Sequence, residues 1–285
     1  MLPKSVLIEL LRAKGILAHR ALGQNFLIDQ NFLSFIVEKA QLTPEDCVLE
    51  IGSGPGFMTN LLAQKSKHVW AVEIDKKVFE LAHSLYSSHK NITWMNMSIL
   101  DRTGENINPE IIKEIKGSPI KVVSNLPYSI SASIIMSLLE SNLSMGPMIL
   151  TVQLEMAQRL TAKIDTKQYN ALTILVNLLS EVKIIRKVPP DVFHPVPKVT
   201  SAVISITPKT CVKDIPDYHL YKKLLRNTFK YRRKMISRIL KNTLKTSDDK
   251  INEALAKNNI RNEERPEKIS AGEFMGLFKE LKDYL

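Results

Sequence analysis

With 285 residues, 44% of them hydrophobic and 24% charged, the chain has the composition of an ordinary globular protein and enough length for a full α/β core plus a smaller second domain. No apolar run approaches the roughly 18 residues that a membrane span requires, Glu9 and Arg12 interrupt the apolar start too soon for a signal peptide, and two distant cysteines, Cys47 and Cys211, fit a reducing cytoplasm; neither membrane nor metal is expected as a partner. The net charge of +11 is lopsided: residues 186–285 carry 22 Lys and Arg against 12 Asp and Glu, a net of +10, as an electrostatic grip on phosphates would need.

In chain order, Leu7, Leu10 and Leu11 predict a helix over residues 3–14 that stops at Gly15. The mixed segment Leu22-Gly23-Gln24-Asn25-Phe26-Leu27-Ile28-Asp29 then leads into a helix over 31–40, with Asp29 as its cap. The sheet begins at Val48-Leu49-Glu50-Ile51, which breaks into Gly52-Ser53-Gly54-Pro55-Gly56 before helical spacing resumes at Phe57. A β-branched run, glycines at alternate positions and a helical run read as strand, tight turn and helix. Such a turn lets backbone press against a nucleoside while helix N–H groups point into the same space. The next strand, over 68–75, places Glu73 at the carboxyl edge beside the turn, where a carboxylate can accept both hydroxyls of a ribose. A dinucleotide needs the spacing G-x-G-x-x-G; the G-x-G-x-G found here, preceded by Glu50, favours S-adenosylmethionine, which has no phosphate to cradle.

Strand and helix keep alternating: helix 76–88, strand 92–97, helix 109–116, strand 120–123, helix 130–143, strand 148–152, helix 154–164. This order specifies a doubly wound, mostly parallel sheet. At the end of the fourth strand stands Asn125-Leu126-Pro127-Tyr128, an amide, a backbone-fixing proline and an aromatic ring on the same edge as Gly52 and Glu73. Taken alone it is a turn; at that edge it is suited to methylating an exocyclic amine. The adenine amino nitrogen is a poor nucleophile because its lone pair is delocalised. Acceptors on its two hydrogens, the Asn125 side-chain oxygen and the Pro127 carbonyl, would aim that lone pair at a methyl donor, a task of orientation more than of general-base chemistry. Tyr128 would hold the base by stacking.

The proline-stiffened stretch 188–199 carries Phe193, either a core plug or the second face of a base sandwich with Tyr128, and leads to a strand over 201–206. Beyond Pro208 the pattern turns helical, so residues 1–209 and 210–285 are expected to form two domains, the second all-α. Residues 220–247 hold ten basic and no acidic side chains. If that segment is one helix, Lys222, Arg226, Lys230, Lys234, Arg238, Lys241 and Lys245 make one stripe, with Arg232 and Arg233 concentrating the charge, and a stripe without acidic partners suits an RNA backbone. The six histidines show no metal spacing and no Ser-His-Asp or Cys-His arrangement.

Five segments, Leu22–Leu27, Glu50–Gly56, Asn125–Tyr128, Phe193–Val199 and Phe229–Lys234, occur together and in order. In them the chain resembles the ribosomal RNA adenine dimethyltransferases, most narrowly the KsgA (RsmA) family that dimethylates two adjacent adenosines near the 3′ end of small-subunit rRNA. The resemblance implies a Rossmann-like methyltransferase sheet with a helical, RNA-binding C-terminal domain. It implies S-adenosylmethionine contacts from Asn25, Leu27, Gly52, Glu73 and Asn125, and an adenine site of Asn125, Pro127, Tyr128 and Phe193. RNA contacts are expected from Arg226, Lys230, Arg232, Arg233, Lys234 and Arg238, in a cytoplasmic monomer acting on a pre-ribosomal small subunit. One departure stands out: the family's usual Asp for the cofactor's adenine amino group is Ser98 here, with Asp101 three residues on as a possible substitute. Competing readings are a large-subunit resistance methyltransferase, a ribosome-assembly factor with secondary or lost methylation, and, from the glycine turn alone, an NAD-linked oxidoreductase.

Overall fold

The computed structural model describes residues 4–16, 24–115 and 117–285, so Leu22 and Gly23 of the first motif lie outside the described residues. The chain divides into two compact units, residues 1–157 with 181–209, and residues 158–180 with 210–285. The expected division at 209/210 therefore changes: residues 158–180 belong with the C-terminal helices, because the apolar α8 (Ala171–Leu179) buries Thr173, Ile174, Leu175, Val176 and Leu179 in that unit.

The first unit is built on a seven-stranded sheet. Its strands are β2 (Cys47–Ile51), β3 (His68–Val72), β4 (Ile92–Met95), β5 (Ile120–Asn125), β6 (Met145–Gln153), β7 (Ser180–Val188) and β9 (Ser201–Pro208), in the order β4-β3-β2-β5-β6-β9-β7. The β4-β3, β3-β2, β2-β5 and β5-β6 pairs are parallel and β6-β9 is antiparallel. The two remaining strands, β1 (Phe26–Leu27) and β8 (Phe193–His194), form a separate antiparallel pair. Helices α1 (Lys4–Ala13), α2 (Gln30–Lys39), α3 (Phe57–Ala63), α4 (Lys76–Tyr86), α5 (Pro109–Ile115) and α6 (Ser131–Glu140) punctuate the strands, and α7 (Leu154–Leu160) runs across the division between the units.

Central strands covered on both faces read as continuous apolar runs, which is why 48–51 and 120–123 were legible; Val48, Leu49, Ile51, Val122 and Val123 are all 0–1% exposed. Strand β7 was not anticipated. It lies at the sheet edge and leaves Glu181, Lys183, Ile184, Arg186 and Lys187 in solvent, so it lacks the buried alternation by which a strand is recognised. The expected helix 130–143 opens instead with a 3-10 turn, Tyr128–Ile130, and becomes α-helical at Ser131. Sheet order reverses between β2 and β5, and in open α/β sheets the crevice at such a reversal receives ligands beyond the carboxyl ends of the strands.

The second unit contains α8, α9 (Tyr218–Lys230), α10 (Ile236–Thr243), α11 (Asp248–Lys257) and α12 (Ala271–Leu281). Aromatic contacts knit its core, with ring centroids 5.3 Å apart for Tyr221 and Phe278 and 5.6 Å apart for Phe229 and Phe274. Capping boxes at Asn170/Thr173 and Ser270/Glu273 start α8 and α12. The single basic helix considered for 220–247 is two helices: α9 ends at Lys230, and residues 231–235 form a turn before α10.

Candidate active site at the carboxyl edge of the sheet

Four of the parallel strands deliver groups to a common cleft. Gly52 follows β2, Glu73 follows β3, Met97 and Ser98 follow β4, and Asn125 ends β5 with Pro127 and Tyr128 after it. Gln24 and Asn25 close the cleft, which encloses about 670 Å³ including its open mouth. A φ of +68° at Gly52 and +56° at Gly54 is a left-handed backbone that other residues adopt only with strain. At Gly54 an added Cβ would also sit 3.2 Å from the Phe26 ring.

Glu73 is 5% exposed and fixed by two backbone donors, Gly54 N–H at 2.9 Å to Oε2 and Asp75 N–H at 2.8 Å to Oε1. Burial pushes its carboxyl above the ordinary range; the bonds from Asp75 and Gly54 pull the other way, and Asp75's charge adds to the rise. Each oxygen retains a further lone pair for a ligand hydroxyl. Glu50, 1% exposed behind the turn, accepts the Thr59 hydroxyl; burial raises it to about 8 against that bond, and Glu73 adds repulsion.

Asn125 is the most informative residue. Its Nδ2 donates to the Asn25 carbonyl at 3.0 Å, which fixes the amide with Oδ1 as the remaining acceptor. Oδ1 is buried and has no hydrogen-bond partner. An unpaired buried acceptor costs on the order of 1–3 kcal/mol, a cost that a hydrogen-bond donor reaching Oδ1 would relieve. Two residues on, the Pro127 carbonyl accepts a long bond, 3.4 Å from Ile130 N–H. Tyr128 is half-buried and lines the cleft; its hydroxyl pairs with Ser201 Oγ at 2.6 Å, and burial raises its pKa above the ordinary phenol range, opposed by the Ser201 bond. Glu73 and Tyr128 are the titratable groups among the described residues that line the cleft.

Asn25, Gly52, Glu73, Ser98, Asn125, Pro127 and Tyr128 thus meet in one space, whereas Leu27 lines an adjoining hollow of about 320 Å³ that shares Gly52, Gly54 and Asn125 as walls. Phe193 does not join them. It is 1% exposed, opposite Leu27 in the β1-β8 pair and part of the apolar core, so the base-sandwich role gives way to the core plug. Nor does Asp101 substitute for Ser98: it sits outside the cleft, where Thr103 and Asn106 hold it to about 2 by hydrogen bonding in its own turn. Ser98 itself lines the cleft, with Oγ accepting Leu100 N–H at 3.2 Å. Sequence reasoning missed Gln24, which bonds Asp75 at 3.2 Å, and Ile74, a 54% exposed apolar side chain on the cleft wall; its position directly after the strand-end Glu73 was the available signal.

In the second unit Arg226, Lys230, Arg233, Lys234 and Arg238 are exposed. Arg232 differs from them: it is only partly exposed, its Nη1 donates to the Lys167 carbonyl at 2.9 Å and its Nε lies 3.9 Å from Glu267, so part of its guanidinium is engaged within the unit.

The family model for ribosomal RNA adenine dimethylase matches residues 15–283. The chain belongs to the ribosomal RNA adenine dimethylase family. It is 36% identical over 265 residues to the ribosomal RNA small subunit methyltransferase A of Alkaliphilus metalliredigens, covering 92% of this chain and 91% of that one. The protein of the same name from Caldanaerobacter subterraneus is 38% identical over 262 residues, covering 91% and 96%. Among solved structures, a dimethyladenosine transferase from Plasmodium falciparum shares the fold at a TM-score of 0.73 and 24% identity, covering 90% of this chain and 96% of that one. The 23S rRNA methyltransferase ErmE matches at 0.63 and 25%, covering 90% and 99%. The dimethylase is an S-adenosylmethionine-dependent rRNA adenine N6-methyltransferase with a Rossmann-like sheet, and the cleft fits that cofactor: an acidic group for a ribose, a left-handed glycine turn where a Cβ would intrude, and an apolar wall at Ile74.

Proposed function

We propose that the cleft dimethylates two adjacent adenosines near the 3′ end of small-subunit rRNA, in a pre-ribosomal subunit in the cytoplasm, with the enzyme acting as a monomer. The small-subunit assignment rests on relatives of that name at 36–38% identity over nine-tenths of both chains, against 25% for the large-subunit enzyme. The observation that carries the chemistry is the unpaired, buried Oδ1 of Asn125. Gly52, Glu73, Asn25 and Ser98 would hold the cofactor, with Leu27 behind the turn. When bound, S-adenosylmethionine supplies an electrophilic methyl group.

Asn125 Oδ1 accepts one N6 hydrogen of the target adenine and the Pro127 carbonyl accepts the other, which pyramidalises the nitrogen and frees its lone pair. Tyr128, pinned by Ser201, packs on the base. Glu73 is held by two backbone donors and Tyr128 keeps its proton, so the N6 proton departs to solvent after the new C–N bond forms. A base folded into RNA must first swing out to reach this site. Exposed charges on the second unit, Arg226, Lys230, Arg233, Lys234 and Arg238, supply the phosphate grip.

The test is transfer of labelled methyl groups to small and large subunits purified from an unmodified strain, with products mapped to nucleotides. Dimethyladenosine at two neighbouring small-subunit positions is expected. Label on the large subunit alone overturns the substrate, and subunit binding without transfer leaves only an assembly factor.

A further inference from the structure

We propose that the turn joining α9 to α10 is a nucleotide-stacking site, in which the Tyr231 ring takes the face of an unpaired RNA base while Lys230, Arg233 and Lys234 take the flanking phosphates. The inference rests on the reading that the second unit engages RNA, and it adds what the basic charges alone cannot provide, a preference for unpaired nucleotides.

Tyr231 is 40% exposed, a large aromatic left in water at the tip of a turn. Backbone hydrogen bonds place it: its N–H donates to the Thr228 carbonyl at 3.2 Å, and its own carbonyl accepts Lys234 N–H at 2.8 Å. Arg232, tied inward to Lys167 and Glu267, anchors the same turn and leaves its neighbours outside. The Lys230 and Lys234 ammonium groups lie 5.6 and 5.2 Å from the Tyr231 ring centroid. Cation–π contacts exposed to water are weak, so a phosphate readily draws an ammonium off the ring and uncovers the face that a base then covers. No acidic residue occurs between 220 and 247 to neutralise the site. Bases inside a duplex have their faces occupied by neighbours, whereas a looped or single-stranded base offers one; the combination of aromatic ring and cationic fork is therefore matched to unpaired RNA.

The experiment measures binding of the full-length protein to a fluorescent single-stranded oligoadenylate and to an RNA duplex of the same length, across a salt series. Tyr231→Ala is expected to weaken the single strand on the order of tenfold and to leave duplex affinity and both salt slopes unchanged, because it removes a stacking face and no charge. Tyr231→Phe should retain full affinity, and Tyr231→Leu, which keeps bulk without a π-face, should behave as the alanine variant does. Equal losses on both ligands, or no loss on the single strand, would overturn the stacking site. If Arg233→Ala/Lys234→Ala lowers the salt slope while Tyr231→Ala is silent, stacking falls and the RNA-binding reading stands; if both are silent, that reading falls as well. Release from phosphatidylglycerol vesicles on Tyr231→Ala, with RNA binding intact, would assign the turn to a lipid surface and overturn the proposal.

Discussion

The strand-edge cleft and the α9–α10 turn both offer polar groups to a ligand, on opposite terms. In the cleft the groups are few, desolvated and individually aimed: Glu73 is held by two backbone donors, and the Asn125 amide is oriented by the Asn25 carbonyl. In the turn they are numerous, hydrated and, Arg232 apart, at the surface. Directional groups in a low-dielectric site discriminate between donors and acceptors at single atoms, whereas exposed cations read only the density of phosphates. The contrast divides the work. On the proposed function, chemistry and cofactor choice belong to the buried set, and affinity with its salt dependence belongs to the exposed one.

The sharpest way to break that division is Asn125→Ala, which should lower methyl transfer by about 10³-fold while rRNA affinity stays within a factor of two or so, since no phosphate contact is lost. Asn125→Asp retains an acceptor but loses the donor that the Asn25 carbonyl holds, and should be nearly as inactive. Single-turnover transfer and filter binding read the two quantities separately. Turnover surviving in Asn125→Ala would remove this residue from the chemistry.

A smaller effect is expected at Gly54, where alanine must adopt a φ of +56° and approach Phe26 at 3.2 Å. Left-handed backbone costs roughly 1–2 kcal/mol for a residue with a Cβ. Because the same residue's N–H anchors Glu73, Gly54→Ala should weaken cofactor binding about tenfold, by calorimetry with S-adenosylhomocysteine, with rRNA binding untouched. On the other side of the comparison, Arg233→Ala/Lys234→Ala should reduce the salt slope for single-stranded RNA by about 1.4, since each phosphate contact contributes about 0.7. Arg232→Ala should leave the slope in place and lower Tm instead, having lost its hydrogen bond to the Lys167 carbonyl and its long ion pair with Glu267.

How much of this the sequence disclosed follows the same physical line. Backbone-driven features were legible: the Gly52–Gly56 turn, the acidic strand end at Glu73 and the alternation that makes a doubly wound sheet all write themselves into residue type and spacing. Features decided by tertiary packing were not. Phe193 could be ring face or core plug until its pairing opposite Leu27 buried it, and Arg232 looked like its basic neighbours until Glu267 and the Lys167 carbonyl appeared beside it. Residues 158–180 joined the helical unit through a burial pattern that no local signal marks, and the edge strand β7 hid because solvent covers what alternation would otherwise reveal. The two-residue pair β1-β8 is too short to carry any period.

The last expectation asks what desolvation costs the cleft. Glu50 carries a carboxyl raised to about 8 from an ordinary 4.5, chiefly by burial, with only the Thr59 hydroxyl opposing. Below pH 4.5 both folded and unfolded chains hold this proton, and the group has no effect on stability. As pH rises from 4.5 to about 8 the unfolded chain releases the proton and the folded one retains it, so stability falls across that window and levels off above it. Glu50→Gln keeps an oxygen for Thr59, never ionises, and removes the repulsion on Glu73. The Tm of the variant should therefore match that of the parent near pH 4 and exceed it by a few degrees at pH 8. A difference independent of pH would mean that Glu50 is ionised in the folded protein, and that the buried side of this comparison is less dry than its geometry implies.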